Sequence, residues 1–113
     1  MRPISAKVKK QLLADIRMKR CAIEHLAEDL CEGRTEFHHV WIYAGRQVDE
    51  PWAILGGCSH HHGMVSKSRR VKQAFELVSL ERATPADLAK YPRAEWYRLK
   101  VNLQRMFYGK NRA

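Results

Sequence analysis

The stretch that decides the fold runs from His38 to His62 and reads HHVWIYAGRQVDEPWAILGGCSHHH. It begins with a pair of histidines and ends with a cysteine followed, after one serine, by three histidines in a row. Aromatic and β-branched residues are concentrated at positions 37–43 and 52–55, with turn-forming residues between them. This pattern predicts two short strands joined by a loop, a β-hairpin.

A helix is expected to follow the hairpin. Gly56 and Gly57 are expected to end the second strand, and Cys58 to turn the chain into a helix. That helix has an imperfect apolar stripe, formed by Val65, Val71, Phe75, Val78 and Leu80. The order strand, loop, strand, turn, helix would place the His38-His39 pair opposite the start of the helix that carries His62.

Helical patterns also precede the hairpin. Ser5 is a suitable cap for a helix that is expected to run to about Lys19. Its apolar face is formed by Val8, Leu12, Leu13 and Ile16. A second, short helical pattern covers residues 22–30, between Cys21 and Cys31.

On the C-terminal side, residues 84–87 form a capping pattern that opens a short helix, which Pro92 is expected to end. A last amphipathic helix is expected over 93–108, closed by Gly109. Its inward residues are expected to be Trp96, Leu99, Leu103, Met106 and Phe107.

Charge is unevenly distributed along the 113 residues, whose formal net charge is +9. Residues 1–20 contain seven Lys/Arg and one acid, and residues 63–113 contain twelve and four. The middle segment, 21–62, reverses this balance with two basic residues and seven acids. All six histidines and all three cysteines lie in that segment. A metal centre with basic arms is the simplest interpretation.

The number of cysteines is odd, and Met1 leads directly into a basic segment rather than an apolar one. No stretch approaches the ~20 apolar residues needed to span a bilayer. We therefore expect a protein of the reducing cytoplasm, with thiols available for metal and no membrane partner.

Residues 21–72 resemble the HNH, or ββα-metal, endonuclease family. The family motif runs from an Asp-His or His-His pair to a C-x-x-C-H element at the start of a helix. Here Cys58 follows His39 by nineteen residues, and His61 and His62 complete the closing element. Segments similar to Trp41-Ile-Tyr-Ala-Gly-Arg-Gln47 and Trp52-Ala-Ile54 occur in small phage HNH-like proteins.

The resemblance implies an α+β domain with a treble-clef-like ββα-metal core. A basic helix over residues 1–20 and a helical extension over 73–113 would flank this core in a single domain. The implied function is divalent-metal-dependent cleavage or nicking of DNA from a phage or mobile element, in the cytoplasm of a bacterial host cell.

Three histidines take catalytic roles under this resemblance. His39 corresponds to the general base, and His38 and His62 to the protein ligands of one divalent ion (Mg, Mn, Ni or Zn). Phosphodiester hydrolysis needs an activated water and neutralised phosphate charge. A histidine can accept the proton of the water near neutral pH, and imidazole ligands suit transition metals.

The family's central Asn, which orients the base or binds metal, would fall at Ala53. Asp49 or Glu50, in the loop nearby, is the alternative for this role. Arg46, between the strands, is expected to contact phosphate or to stabilise the transition state. The basic residues after His62 are expected to hold DNA phosphates, and they are Lys67, Arg69, Arg70 and Lys72. If DNA is held elsewhere, the basic N-terminal helix is the place, with Lys7, Lys9 and Lys10.

A structural zinc is a second expectation. Cys58 and His61 lie where the family's second knuckle holds zinc, and Cys21 and Cys31 would supply the remaining ligands of a tetrahedral site. Nine residues separate Cys21 from Cys31, far more than in a tight C-x-x-C hook, and His25 is a competing ligand for the same ion.

Alternative functions remain open. The histidine run could be an adventitious metal binder, or the chain a zinc-stabilised DNA-binding module without catalysis, which Ala53 favours. A third alternative is an adaptor, in which the last helix docks on a larger phage protein or on a second copy in a homodimer.

Overall fold

The computed structural model describes residues 4–43, 45–91 and 95–109. In these residues the chain forms five α-helices and two small antiparallel sheets, which confirms the expected α+β class. The helices are α1 (Ala6–Ala14), α2 (Ser59–Met64), α3 (Arg69–Arg82), α4 (Pro85–Ala89) and α5 (Trp96–Tyr108). The strands are β1 (Thr35–His39), β2 (Ile42–Tyr43), β3 (Arg46–Gln47) and β4 (Ile54–Cys58). Within the described ranges, the helices are too short or too polar to cross a membrane.

The central hairpin is formed by β1 and β4, which pair antiparallel with His39 opposite Ile54 and Thr35 opposite Cys58. The predicted first strand, 37–43, is divided: β1 ends at His39, and β2 pairs with β3 in a second hairpin. The predicted second strand starts later than expected, because Pro51–Ala53 is a 3₁₀ turn.

The prediction that Gly56 and Gly57 end the second strand is wrong, since both lie inside β4. A Cβ atom on Gly56 would lie 2.9 Å from the backbone oxygen of Arg20. A Cβ atom on Gly57 would lie 2.8 Å from the ring of Phe75. The two glycines therefore allow neighbouring parts of the chain to approach the strand closely.

The two faces of the β1–β4 hairpin pack against different helices. Ile54 contacts the apolar cluster formed by Leu12 of α1 and Met18. Leu55 contacts the cluster that contains Phe75 of α3. Because successive residues of a strand point to opposite faces, the hairpin forms a layer between α1 and α3.

A third cluster, rich in tryptophan, joins α3 to α5 and to the loops of the hairpin. The ring centroid of Trp96 lies 5.0 Å from that of Trp41 and 6.1 Å from that of Trp52, and its ring plane is nearly perpendicular to each of theirs. Ser79 of α3 is fully buried among them. Trp41 Nε1 donates to Ser79 Oγ at 2.9 Å, and Ser79 Oγ donates to the backbone oxygen of Trp52 at 2.7 Å.

The N-terminal helix is shorter than predicted. Ser5 caps α1, and its Oγ accepts a hydrogen bond from the Val8 amide at 3.3 Å, as expected. The helix ends at Ala14 because Asp15 has extended backbone angles, and a 3₁₀ turn, Ile16–Lys19, follows. The helix predicted over 22–30 is wrong, since this segment consists of turns and bends.

The long helix predicted after Cys58 is two helices. Met64 ends α2, and Ser68 caps α3 by accepting a hydrogen bond from the Val71 amide at 3.3 Å. The capping pattern at 84–87 is confirmed, because Thr84 and Asp87 bond each other's backbone amides in a capping box.

The last helix begins at Trp96, and Trp96 and Leu103 are buried as expected. Met106 is 45% exposed, so the expectation that it points inward is wrong. Leu13 of α1 is likewise 64% exposed rather than on the buried face. Pro92 and the first two residues of the predicted helix, 93–94, lie outside the described residues.

We expect Ser79→Ala to lower the free energy of unfolding by about 1–3 kcal/mol, because it removes two buried hydrogen bonds at once. Chemical denaturation measures this change. Ser66→Ala, at an exposed serine, is the matched control and should be neutral. Equal stabilities of the two variants would show that the Ser79 hydroxyl does not hold the tryptophan cluster together.

Candidate metal centre

Four residues predicted to bind a structural ion converge in the structure. Nδ1 of His61 lies 3.7 Å from the sulfur of Cys21, 3.6 Å from that of Cys31 and 3.2 Å from that of Cys58. All four ligand atoms lie within 4.8 Å of one another. His61, Cys21 and Cys58 are buried, whereas Cys31 is exposed. The cluster is therefore close enough to hold a metal ion.

The chain reaches this arrangement by folding two tight segments against each other. The backbone oxygens of Glu32 and Arg34 accept hydrogen bonds from the amides of His60 and Ser59, at 3.1 and 3.0 Å. Gly33 between them has a φ of +83°, in the left-handed region. A Cβ atom there would lie 2.6 Å from Ser59 Oγ. A glycine is thus required for the Cys31 loop to meet the start of α2.

The surroundings of Cys58 favour a thiolate. Burial opposes its ionisation, but hydrogen bonds from the backbone amides of His61 and Glu32, together with those from the Cys31 and Cys21 side chains, outweigh this effect and lower the pKa of Cys58. Desolvation, together with the neighbouring Cys21 thiol, raises the pKa of Cys31 to about 12. Three thiols this close oppose one another's ionisation unless a cation lies between them.

The donor set and its spacing fit zinc. Three sulfurs and one imidazole nitrogen form a common structural zinc site, and no water position is needed to complete it. With bonds of about 2.3 Å to sulfur and about 2.0 Å to nitrogen, tetrahedral ligands lie about 3.5 Å apart in nitrogen–sulfur distance. The three distances from His61 Nδ1, 3.2 to 3.7 Å, bracket this value.

A carboxylate lies on the far side of the His61 ring. Asp29 Oδ1 accepts a hydrogen bond from His61 Nε2 at 2.9 Å, and Asp29 Oδ2 contacts His60 Nε2. These two hydrogen bonds, from His60 first and then His61, lower the pKa of Asp29 to about 2. The carboxylate is therefore ionised and ties the 28–31 loop to α2.

A second group of candidate residues lies where β1 meets α2. The rings of His38 and His62 have centroids 4.8 Å apart. Glu36 lies on the same face of β1 as His38, and its Oε1 lies 2.9 Å from His62 Nδ1. This leaves Nε2 of His62 for another partner. Burial, and next the nearby His62, lower the pKa of His38 to about 4, so that its ring is neutral.

His39 points to the opposite face of the hairpin, because it follows His38 directly in β1. Its Nε2 lies 4.0 Å from Asp49 Oδ1, and Asp49 Oδ2 accepts a hydrogen bond from the Ser5 amide at 3.2 Å. Burial lowers the pKa of His39, and the Asp49 charge opposes this shift. The structure thus brings His39 to Asp49 and to the start of α1, not to His62.

The other residues considered for the family's Asn position, and Arg46, have different partners. Ala53 is fully buried in the tryptophan cluster. Glu50 accepts a hydrogen bond from the Tyr91 hydroxyl at 2.8 Å. Arg46 is exposed on the separate β2–β3 hairpin, where it pairs with Tyr43.

The basic residues predicted to bind DNA differ in their surroundings. Lys67, Arg69 and Lys72 are exposed at the start of α3 or just before it. Arg70 instead forms an ion pair with Glu28, with Nε 3.1 Å from Oε1, and its guanidinium lies 4.5 Å above the ring of Phe107. Arg70 therefore has a packing role in addition to its charge.

Sequence reasoning missed Glu36 and Asp29. Glu36 had a detectable signal, since it precedes His38 by two positions and so shares its strand face. Asp29 had none, because its two histidine partners lie 31 and 32 residues away in the sequence.

Comparison of the chain with protein-family models, with curated proteins and with solved structures gives no match. The site itself presents two kinds of chemistry. The set of three cysteines and His61 is closed and suits a structural ion, whereas His38 and His62 form a separate pair of neighbouring imidazoles.

We expect Cys58→Ser to lower the melting temperature and to release one equivalent of metal, because a structural ion contributes much of the folding energy of a small domain. Elemental analysis and thermal denaturation measure both effects. His25→Ala is the matched control, because His25 is exposed and lies outside the cluster. A Cys58→Ser variant with the parent's melting temperature and metal content would reduce these cysteines to packing residues.

Proposed function

We propose that this protein is a metal-dependent DNA endonuclease of the HNH type, in which a structural zinc holds a ββα unit together. The observation that carries the proposal is the placement of His62, at the start of α2, beside His38 of β1, with Glu36 on its second nitrogen. Two neighbouring imidazoles would form a site for a divalent ion that can bind phosphate and polarise it.

Each of these residues has a distinct part in the proposed reaction. His38 and His62 would hold the ion, which supplies charge neutralisation at the scissile phosphate. Glu36 would accept a hydrogen bond from His62 Nδ1 and so fix the tautomer that presents Nε2. His39 would accept a proton from the attacking water, with Asp49 stabilising the imidazolium that results.

The opposite orientations of His38 and His39 constrain where DNA would lie. In the described residues the β1–β4 sheet has only two strands, so β1 is an edge strand. A phosphate would have to lie across the end of β1, with the His39 side chain, which is 11% exposed, on one face and the ion on the other. The exposed Lys67, Arg69 and Lys72, which follow α2 and open α3, would hold the neighbouring phosphates.

One observation favours a second candidate, a zinc-stabilised DNA-binding module without catalysis. Ala53 replaces the family's Asn and is buried in the apolar core. Asp49 stands 4.0 Å from His39, which is longer than a hydrogen bond. In this second function the metal centre and the basic surface are kept, and the histidines at β1 are not used for hydrolysis.

His39→Ala is expected to reduce DNA cleavage by about 10²–10⁴-fold, the usual contribution of a general base, with little change in metal content or DNA affinity. A plasmid-nicking assay with and without a chelator measures the rate, and His25→Ala, which is expected to keep full activity, is the control. Undiminished cleavage by His39→Ala would remove this residue from the mechanism. If the wild-type protein binds DNA but does not nick it, either with or without the chelator, the second candidate would be favoured.

Neutralising Lys67, Arg69 and Lys72 together is expected to weaken binding to all DNA sequences alike. Each phosphate contact contributes about 0.9 to the slope of log affinity against log salt, so the slope should flatten by up to about 3 units. Arg70→Ala is the contrasting variant: because Arg70 packs on Phe107, we expect a lower melting temperature and a smaller effect on the slope. A triple variant with the parent's slope would show that DNA is not bound at this surface.

A further inference from the structure

The 28–31 loop and α2 are joined by one carboxylate that faces two histidines. Asp29 Oδ1 lies 2.9 Å from His61 Nε2, and Asp29 Oδ2 contacts His60 Nε2. We propose that Asp29 is the positioning residue of the metal centre: it holds His61 in the tautomer and ring orientation that direct Nδ1 at the three thiols. This inference rests on the proposed metal centre and not on nuclease activity.

The two nitrogens of His61 decide the direction of the hydrogen bond. A neutral imidazole carries one proton, and a nitrogen that binds metal cannot carry it. Because Nδ1 faces the sulfurs of Cys21, Cys31 and Cys58, the proton must reside on Nε2 when an ion is bound. Nε2 then donates to Asp29, which is the usual arrangement of a carboxylate behind a metal-bound histidine.

Burial strengthens the effect of this hydrogen bond. The His61 side chain is fully buried, so water cannot readily replace Asp29 as the partner of Nε2 at 2.9 Å. Loss of this hydrogen bond therefore costs more free energy than it would at the surface. Asp29 itself is half-exposed, with 51% of its side chain accessible. A substitution at Asp29 therefore changes the hydrogen bond without opening a cavity in the core.

His60 directs a second ring nitrogen at the same carboxylate. Both imidazoles direct Nε2 at the same group, one at each oxygen. An asparagine at this position has a single acceptor oxygen and no negative charge, so its hydrogen bond to His61 Nε2 would be weaker than that of the carboxylate. A glutamate keeps both acceptor oxygens and the negative charge.

Asp29, His60 and His61 also lie close enough together to be considered as ligands of a second ion. Nε2 of His61 is the only nitrogen it could offer there, and it is protonated when Nδ1 binds metal. We therefore expect this part of the chain to bind a single equivalent of zinc, with Asp29 outside the coordination shell.

The test compares zinc binding by the wild type, Asp29→Asn and Asp29→Glu, measured by competition with a chromophoric chelator. Asp29→Asn is expected to bind zinc 10- to 100-fold more weakly, in the range typical for loss of such a partner. Asp29→Glu is expected to recover part of the loss. Glu28→Gln is the control, because Glu28 is the neighbouring acid and pairs with Arg70 instead.

Nitrogen-15 NMR of the zinc-loaded wild type gives a readout that does not depend on any variant folding. It is expected to show His61 with a metal-bound Nδ1 and a protonated Nε2. His61 bound through Nε2, an Asp29→Asn variant with the parent's affinity, or one that loses a second equivalent of zinc would each overturn the role of Asp29. A wild type that binds no zinc would overturn the metal centre itself and this inference with it, which distinguishes the two failures.

Discussion

The convergence of three thiols and one imidazole on a single point is the constraint on which the rest of the structure depends. The ligands come from three separate segments: Cys21 after α1, Cys31 in an irregular loop, and Cys58 with His61 at the start of α2. Between Cys21 and Cys31 the chain has no regular secondary structure in the described residues. A bound metal ion would cross-link this segment to the start of α2. Such a cross-link matters in a chain of only 113 residues, because a small domain buries a modest core.

The predictions that succeeded depend on local signals. The α+β class, the caps at Ser5 and Thr84 and the pairing of a strand at His38 with one before Cys58 follow from patterns a few residues long. The four residues that lie close enough to hold an ion also follow from residue type and family-like spacing. Predictions failed where tertiary contacts decide. Gly56 and Gly57, which look like a stop signal, lie within a strand because other segments approach it closely.

The same distinction separates the two histidines of the pair. Their adjacency in sequence suggests a shared site, yet a strand directs neighbouring side chains to opposite faces. His38 therefore joins Glu36 and His62, and His39 joins Asp49 near the start of α1. Alternation along β1 was available from the sequence, whereas the proximity of Asp49 to His39 depends on how the loop between the strands is folded.

The run His60-His61-His62 has an implication for how the chain can vary in length. Each residue of a helix is rotated by about 100° from the one before, so the three rings leave α2 in three directions. The His60 ring contacts Asp29, the His61 ring lies between Asp29 and the thiols, and the His62 ring contacts Glu36. An insertion or deletion of a single residue between Cys58 and this run would give every ring its neighbour's surroundings. The segment is thus intolerant of length change, whereas the β2–β3 hairpin, whose described residues do not belong to the cysteine cluster, carries no such restriction.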